Sequence, residues 1–367
     1  MKRVAVFTTA YLPLIGGAEV AIFEITKRFS DFHFDIYTAR LNRHLPKVEE
    51  VGNVTIYRLG LGFYFDKWWL AFGGHRLALV NHRQQPYDFI WAVIASFGGL
   101  AARHFKRRKQ AVPFLLTLQE GDDLAGIERK GRLLLGAFVD IFHRADRIQA
   151  ISHYLAAWAE RLGATAPIEV IPNGVDLQVF TKRPTQSKNN PSVIVTASRL
   201  TPKNGVHHLI TAVGALPFTV RLIIAGVGRQ EKFLRRQVNR LGLTEQVDFV
   251  GRLDHDKLAD LLAEADLFVR PSLSEGLGNA FLEAMAVGLP VIGTPVGGIP
   301  DFLKIKETGF MAKPADPADL ARVMAYVLDK NNQAEVVAVA EAGCDLVVKK
   351  YDWDTIALKF RNLFSQL

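Results

Sequence analysis

The chain has 367 residues, 49% of them hydrophobic and 22% charged, which excludes a disordered or fibrous protein. At about 150 residues per domain it predicts two domains, and its single cysteine, Cys344, excludes an intrachain disulfide and suits a reducing, cytoplasmic setting. The formal charge of +8 is uneven, with +6 on residues 1–175 and +2 on residues 176–367, so an anionic partner is expected on the first half.

The opening MKRVAVFTTAYLPLIGGAEVA holds an apolar run only from Val4 to Phe7 before two threonines and Pro13, so it reads as a first strand and a glycine turn rather than a secretory leader. Further strands are expected at 34–38, 54–58, 89–94, 114–118, 147–151 and 169–171, with helices such as 18–29 and 152–162 between them. In the second half strands are expected at 193–197, 221–225, 247–250, 267–270 and 290–293, and helices at 205–216, 231–241, 254–265 and 279–287; an amphipathic helix, 351–367, closes the chain. No run spans a membrane: 89–102 is too short, and 284–300 is broken by Pro290, Pro295 and Pro300. This βαβα order occurs twice and predicts two doubly wound parallel sheets, domains 1–172 and 173–350, joined near IPNGVD (Ile171 to Asp176) and the polar stretch 181–191.

Ligands of open α/β sheets bind beyond the carboxyl ends of the strands. After the first strand, Gly16 and Gly17 precede a helix whose free N–H groups suit an anion, although two glycines equally make a tight turn. After 193–197 comes SRLTPKNG, in which the planar fork of Arg199 and the mobile charge of Lys203 together suit a diphosphate; a solvated helix start is the plain alternative. After 267–270 comes PSLSEGLGNAFLEAMAVGLPVI, where Glu275, beside Gly276 and Gly278, is expected to be free to accept hydrogen bonds from sugar hydroxyls. Glu283 follows in an otherwise apolar helix and suits a ribose diol, with a favourable charge near a helix start the plain alternative.

Competing motifs are absent or partial. There is no phosphate-binding P-loop, no nucleophile elbow and no cysteine–histidine zinc spacing. Gly226 and Gly228 begin a dinucleotide fingerprint whose third glycine position is Glu231. The pairs Asp254/Asp256 and Asp352/Asp354 stand at helix starts and read as caps rather than metal ligands.

Taken in order, GGAE, ADRIQAISHYLAAW, IPNGVD, SRLTPKNG, the Glu275-to-Glu283 motif running into GLPVIGTPVGGIPDFL, and YDWDTIALKF resemble family-4 retaining glycosyltransferases of the GT-B fold over nearly the whole chain. The resemblance implies two Rossmann-like domains facing a central cleft, the first binding acceptor and the second a nucleotide-sugar, with the helix 351–367 crossing back onto the first. It implies that Gly16 and Gly17 meet the donor, that Arg199 and Lys203 hold the diphosphate in place of a metal, and that Glu275 contacts the transferred sugar. Backbone N–H groups of Leu277 and Gly278 lie nearby, Glu283 binds the ribose, and Gly251 and Arg252 lie near the nucleobase. No cofactor is implied; the donor is a UDP- or GDP-sugar.

Many relatives carry His-Gly-x-Asp after the strand matching 114–118. Here the stretch is Gln119-Glu120-Gly121-Asp122: Asp122 matches and is expected to be catalytic, while Gln119 cannot take a proton. Gln119, Glu120 and Asp122 form the expected acceptor side, with helix capping by Glu120 and Asp122 the plain alternative. The run 63–72, FYFDKWWLAF, suits a sugar or lipid pocket or a core helix. RHFKRRK, from Arg103 to Lys109, suits an anionic membrane surface or a solvated helix end.

The expectation is therefore a metal-independent hexosyltransferase, cytoplasmic or peripheral at the inner face of a membrane, acting on a saccharide or lipid-linked acceptor and on no nucleic acid. The alternatives are a nucleotide-sugar epimerase of the same architecture and a non-catalytic sugar-nucleotide-binding subunit.

Overall fold

A computed structural model describes residues 1–14, 16–130, 135–182 and 190–367. Contacts group them into two compact units: Met1–Glu120, Leu124–Asn173 and Ile356–Leu367 in the first, Gly121–Asp123 and Gly174–Thr355 in the second. Most of the expected join at 181–191 lies outside the described residues.

The first unit is one sheet of eight strands: β1 (Lys2–Thr8), β2 (Phe32–Ala39), β3 (Val48–Val51), β4 (Val54–Leu59), β5 (Phe89–Val93), β6 (Phe114–Leu118), β7 (Arg147–Ala150) and β8 (Ile168–Val170). Their order is β3-β4-β2-β1-β5-β6-β7-β8. All neighbours pair in parallel except β3, which runs antiparallel to β4. A parallel sheet is covered on both faces, which is why β1 and β5 read as unbroken apolar runs. The sequence pattern misses β3 because Val-Glu-Glu-Val at a sheet edge has no buried face to set an alternation, and both valines are exposed.

Among the described residues seven α-helices lie between these strands: α1 (Gly17–Lys27), α2 (Asp66–Trp69), α3 (His75–Gln84), α4 (Phe97–Arg108), α5 (Leu124–Lys130), α6 (Leu135–Arg144) and α7 (His153–Arg161). Ser152 caps α7 through its side chain.

Two expectations change here. The run 63–72 is not a core helix: α2 passes into a π-type turn, Leu70–Gly74, and the aromatic rings stand exposed. Of the five cations from Arg103 to Lys109, two are held inside the unit. Arg103 Nε donates to Asp140 at 2.7 Å, and Lys106 Nζ bonds Asp146 at 2.7 Å and the carbonyls of Gln110 and Val112.

The second unit has six parallel strands, β9 (Ser192–Ala197), β10 (Val220–Ala225), β11 (Val247–Gly251), β12 (Leu267–Val269), β13 (Val291–Gly293) and β14 (Phe310–Met311), in the order β11-β10-β9-β12-β13-β14. Around them lie α8 (Val206–Gly214), α9 (Glu231–Arg240), α10 (His255–Ala263), α11 (Asn279–Ala286), α12 (Pro317–Leu328) and α13 (Gln333–Lys350). Fully buried Ile194, Leu209, Leu222 and Met324 belong to its core. The expected helices pass from 279–287 to 351–367 and omit both α12 and α13, although Asp316 caps α12 and Pro317 opens it.

The closing helix, α14 (Trp353–Ser365), starts two residues later than expected. In the first unit Phe364 packs 5.0 to 5.8 Å, centroid to centroid, from Phe29, Phe32, Phe89 and Trp91, and Arg361 pairs with Asp31 at 2.9 Å. Among the described residues no helix is long and apolar enough to cross a membrane.

Candidate active site

In the second unit the chain winds outward from β9 through β10 to β11 and then returns to β12 on the other side of β9. That reversal is a topological switch point, where the loops after β9 and β12 diverge and leave room for a ligand. The loop after β9 carries Arg199 and a short turn, Pro202–Asn204, before Gly205 opens α8. Gly205 sits at φ +67°, and a Cβ there would collide with the Pro271 carbonyl, so glycine is what lets the two loops meet. They are stitched by Leu273 N–H donating to the Lys203 carbonyl at 2.6 Å.

Asn204, buried, organises the centre. Its Nδ2 donates to the Arg199 carbonyl and its Oδ1 accepts from Arg270 Nη2 at 3.1 Å. Arg270 in turn forms a short, buried ion pair with Glu275. Glu275 is therefore not the free carboxylate the sequence suggests. Its backbone is pinned as well: Gly298 N–H donates to the Glu275 carbonyl at 3.3 Å, and the left-handed Gly297 packs against that carbonyl with no space for a Cβ.

Lys203 Nζ donates to the Gly121 carbonyl and lies 3.1 Å from Asp122 Oδ1. A Cβ on Gly121 would stand 3.0 Å from Lys203 Nζ and 3.6 Å from Glu275 Oε1. Lys203, Asp122, Gly121 and Glu275 are thus neighbours. Gly276, Leu277 and Gly278 are buried beside them, and Gly278 begins α11 in the left-handed region. Arg199 stands exposed at the loop's edge.

Glu283, one turn into α11, is half-buried; burial pushes its pKa up, while His255 and Arg270 pull it down. Arg252 is exposed at the end of β11, two strands from β9, and is not part of this cluster. Gly226 and Gly228, half of a dinucleotide fingerprint by sequence, have another purpose. They press against the carbonyls of Ser198 and Leu200, and so support the loop that carries Arg199. Asp254 caps α10 by accepting from Lys257 N–H at 2.9 Å, and Asp352 accepts from the N–H groups of Asp354 and Thr355.

The first unit has its own switch point, between β1 and β5. Gly16 caps α1 there, and Gly17 is its first residue. Thr9 and Ser96 hydroxyls stand 3.0 Å apart. Ile94 is held at φ +69°, strained backbone for a β-branched residue. Glu120, after β6, is buried; its Oε1 accepts from Ala95 N–H at 2.7 Å and its Oε2 has no partner among the described residues. Burial pushes its pKa up to about 7. This is more than a helix cap: it is a carboxyl poised near neutrality. Gln119 accepts from Asn173 Nδ2 at 3.2 Å.

Sequence reasoning missed Arg270, Asn204 and the depth of Glu120. Arg270 carried a signal, a cation directly after an apolar strand on the ligand side of the sheet, but it reads equally as a strand end.

Two family profiles match this chain: Glycosyltransferase Family 4 over residues 15–179 and Glycosyl transferases group 1 over residues 179–343. The chain belongs to the family-4, group-1 glycosyltransferases.

Among curated relatives of this family, WcaL of Escherichia coli (strain K12), named for colanic acid biosynthesis, is 31% identical over 66% of this chain and 63% of its own. A GDP-mannose-dependent α-(1-6)-phosphatidylinositol monomannoside mannosyltransferase of Mycobacterium tuberculosis is 31% identical over 59% of this chain and 61% of its own. The chain thus spans less than two thirds of the length of either. Anabaena HepE in complex with UDP-glucose superposes with a TM-score of 0.81 over the whole of both chains at 20% identity, which establishes the GT-B fold.

Proposed function

We propose that this protein is a retaining, metal-independent hexosyltransferase that takes a sugar from a nucleoside-diphosphate donor and passes it to a saccharide or lipid-linked acceptor. The observation that carries this reading is the cluster at the β9/β12 switch point, where Lys203 and the Arg270-paired Glu275 stand beside Gly121, on and opposite a loop that also carries Arg199. When the glycosidic bond breaks, negative charge grows on the departing diphosphate. Arg199, Lys203 and the N-terminus of α8 are the groups to meet it. Glu275, aligned by Arg270, accepts hydrogen bonds from the sugar's hydroxyls, and Glu283 takes the ribose diol.

Retention then needs no enzyme base. The acceptor hydroxyl attacks from the face the diphosphate leaves, and a phosphate oxygen takes its proton, so Gln119 in place of histidine does not stop the reaction. Support for a nucleotide-sugar comes from the relatives whose names carry GDP-mannose and UDP-glucose. UDP- and GDP-sugars are both candidates, and a cytoplasmic enzyme would meet either.

Purified protein is incubated with a panel of nucleotide-sugars, with and without saccharide or lipid-linked acceptors. Release of nucleoside diphosphate that depends on acceptor, undiminished by excess chelator, is the expected result. An isomerised donor without acceptor would identify an epimerase, and binding without turnover would identify a regulatory subunit. Activity lost to chelator and restored by manganese or magnesium would overturn the arginine–lysine assignment.

A further inference from the structure

The first unit carries an aromatic ledge with no role in the chemistry above. Phe63, Tyr64, Phe65, Trp68, Trp69 and Phe72 are between 43% and 74% exposed. Scattered exposed apolar residues are ordinary, but six large aromatics in ten positions mark a surface that meets something.

The display is built, not floppy. Asp66 is buried beneath it and accepts from Gly62 and Phe63 N–H groups at 2.5 and 3.0 Å. Gly62, at φ +100°, packs against Arg43. Trp68 stacks on Phe72 at 5.9 Å and meets Phe97 of α4 edge-on at 5.0 Å, while Leu70 and Ala71 anchor the turn in the core.

Cations border the ledge. Lys67 lies over the Tyr64 ring at 3.8 Å. Phe72 meets His104, and His104 meets His75; the field of Arg76 and Arg108 reaches His75, and that of Arg107 and Arg108 reaches His104. Arg76, Arg107 and Arg108 are exposed. Between Glu50 and Glu120 the only carboxylates are Asp66, buried as above, and Asp88, which accepts from Arg3 N–H at 2.7 Å.

We propose that this ledge, with Lys67, Arg76, Arg107 and Arg108, is a face that docks on an anionic lipid bilayer. The rings enter the headgroup region, where amphipathic aromatics are most at home, and the cations meet lipid phosphates. A second copy fits poorly, because a two-fold contact would set these cations against themselves.

The whole chain is sedimented with phosphatidylcholine vesicles, with and without phosphatidylglycerol, at low and high salt. Wild type should pellet with the anionic vesicles and shift its tryptophan emission to the blue. That signal reports on Trp68 and Trp69, since Trp91, Trp158 and Trp353 are already buried. Arg107→Glu with Arg108→Glu should lower partitioning at least tenfold at low salt and far less at high salt. Phe65→Ala with Trp69→Ala should lower it about tenfold at both salts.

Wild type that pellets no better with anionic vesicles than alone overturns the proposal, as do two variants that pellet like wild type. Self-association in light scattering, lost in the aromatic variant without any vesicle binding, overturns it in favour of a second copy. If the aromatic variant does not fold by circular dichroism, quenching of wild-type tryptophan by brominated lipid decides, and no quenching overturns the proposal. None of these readouts needs donor or acceptor, so failure here leaves the transferase reading standing.

Discussion

The two units are wound alike, yet their switch points are furnished in opposite ways. In the second unit, the loops after β9 and β12 gather Arg199, Lys203, Arg270 and Glu275, and glycines at 205, 226, 228 and 297 press backbone against backbone to hold them. In the first, the loops after β1, β5 and β6 present two hydroxyls, a strained isoleucine and one buried carboxyl that accepts from Ala95 N–H. Architecture makes the crevice in both cases; the charge placed there decides what each can hold. Paired, rigid charge suits an anion whose charge grows during a reaction, whereas the other site suits a neutral, hydroxyl-rich molecule.

The largest effect tests whether the paired charges in the second unit are structural. Arg270→Ala leaves Glu275 buried without its cation, and breaking a buried pair from one side costs about 3–5 kcal/mol. Thermal unfolding should fall steeply in Arg270→Ala and recover in part when Glu275→Gln is added. A single mutant as stable as wild type would remove the pair from the account.

Next in size are Arg199→Ala and Lys203→Ala. Each should lower turnover on the order of 10- to 1,000-fold while circular dichroism stays unchanged, because preorganised donors act most strongly on transition-state charge. Turnover within twofold of wild type in both would break the contrast between the two switch points.

The first unit's carboxyl gives a pH-dependent test. Glu120 holds its proton up to about pH 7 in the fold against 4.5 for an ordinary glutamate. Between those values the folded state binds more protons than the unfolded one, so stability falls as pH rises and then levels off above about 7. Glu120→Gln keeps the acceptor for Ala95 N–H and removes the charge. It should be no more stable than wild type at pH 4 and gain up to about 3 kcal/mol at pH 8, at 1.36 kcal/mol per pKa unit. Denaturant midpoints across that range should show the gap opening with pH; parallel curves would rule the buried carboxyl out as its source.

The smallest effect sharpens the role of glycine. A Cβ on Gly121 meets the far end of a flexible side chain, Lys203, so Gly121→Ala should cost less than about 1 kcal/mol. Gly205→Ala, by contrast, meets a carbonyl in a left-handed conformation and should cost more than about 2 kcal/mol. Equal stability of the two mutants would refute the view that the loops are stitched through glycine.

The strands that build both sheets are legible because burial on two faces demands unbroken apolar runs, as in β1, β6 and β9, and their order alternating with helices already implies doubly wound domains. The positions of the candidate site residues are legible as well: Arg199, Lys203 and Glu275 lie on loops that follow strands, and Glu283 lies one turn into the next helix. What escaped were β3, an edge strand with no buried face, β14, two residues long, α12, despite its cap and opening proline, and α13. Residue type and spacing report on a position's own environment, but they do not say which distant group it meets. Arg103 and Lys106 look identical in sequence to Arg107 and Arg108, yet the first two are tied to Asp140 and Asp146, 37 and 40 residues away, and the second two face outward. The pairing of Arg270 with Glu275, the burial of Glu120 against Ala95 and the exposure of six aromatics from Phe63 to Phe72 belong to the tertiary structure alone, because each depends on what packing brings near or leaves uncovered.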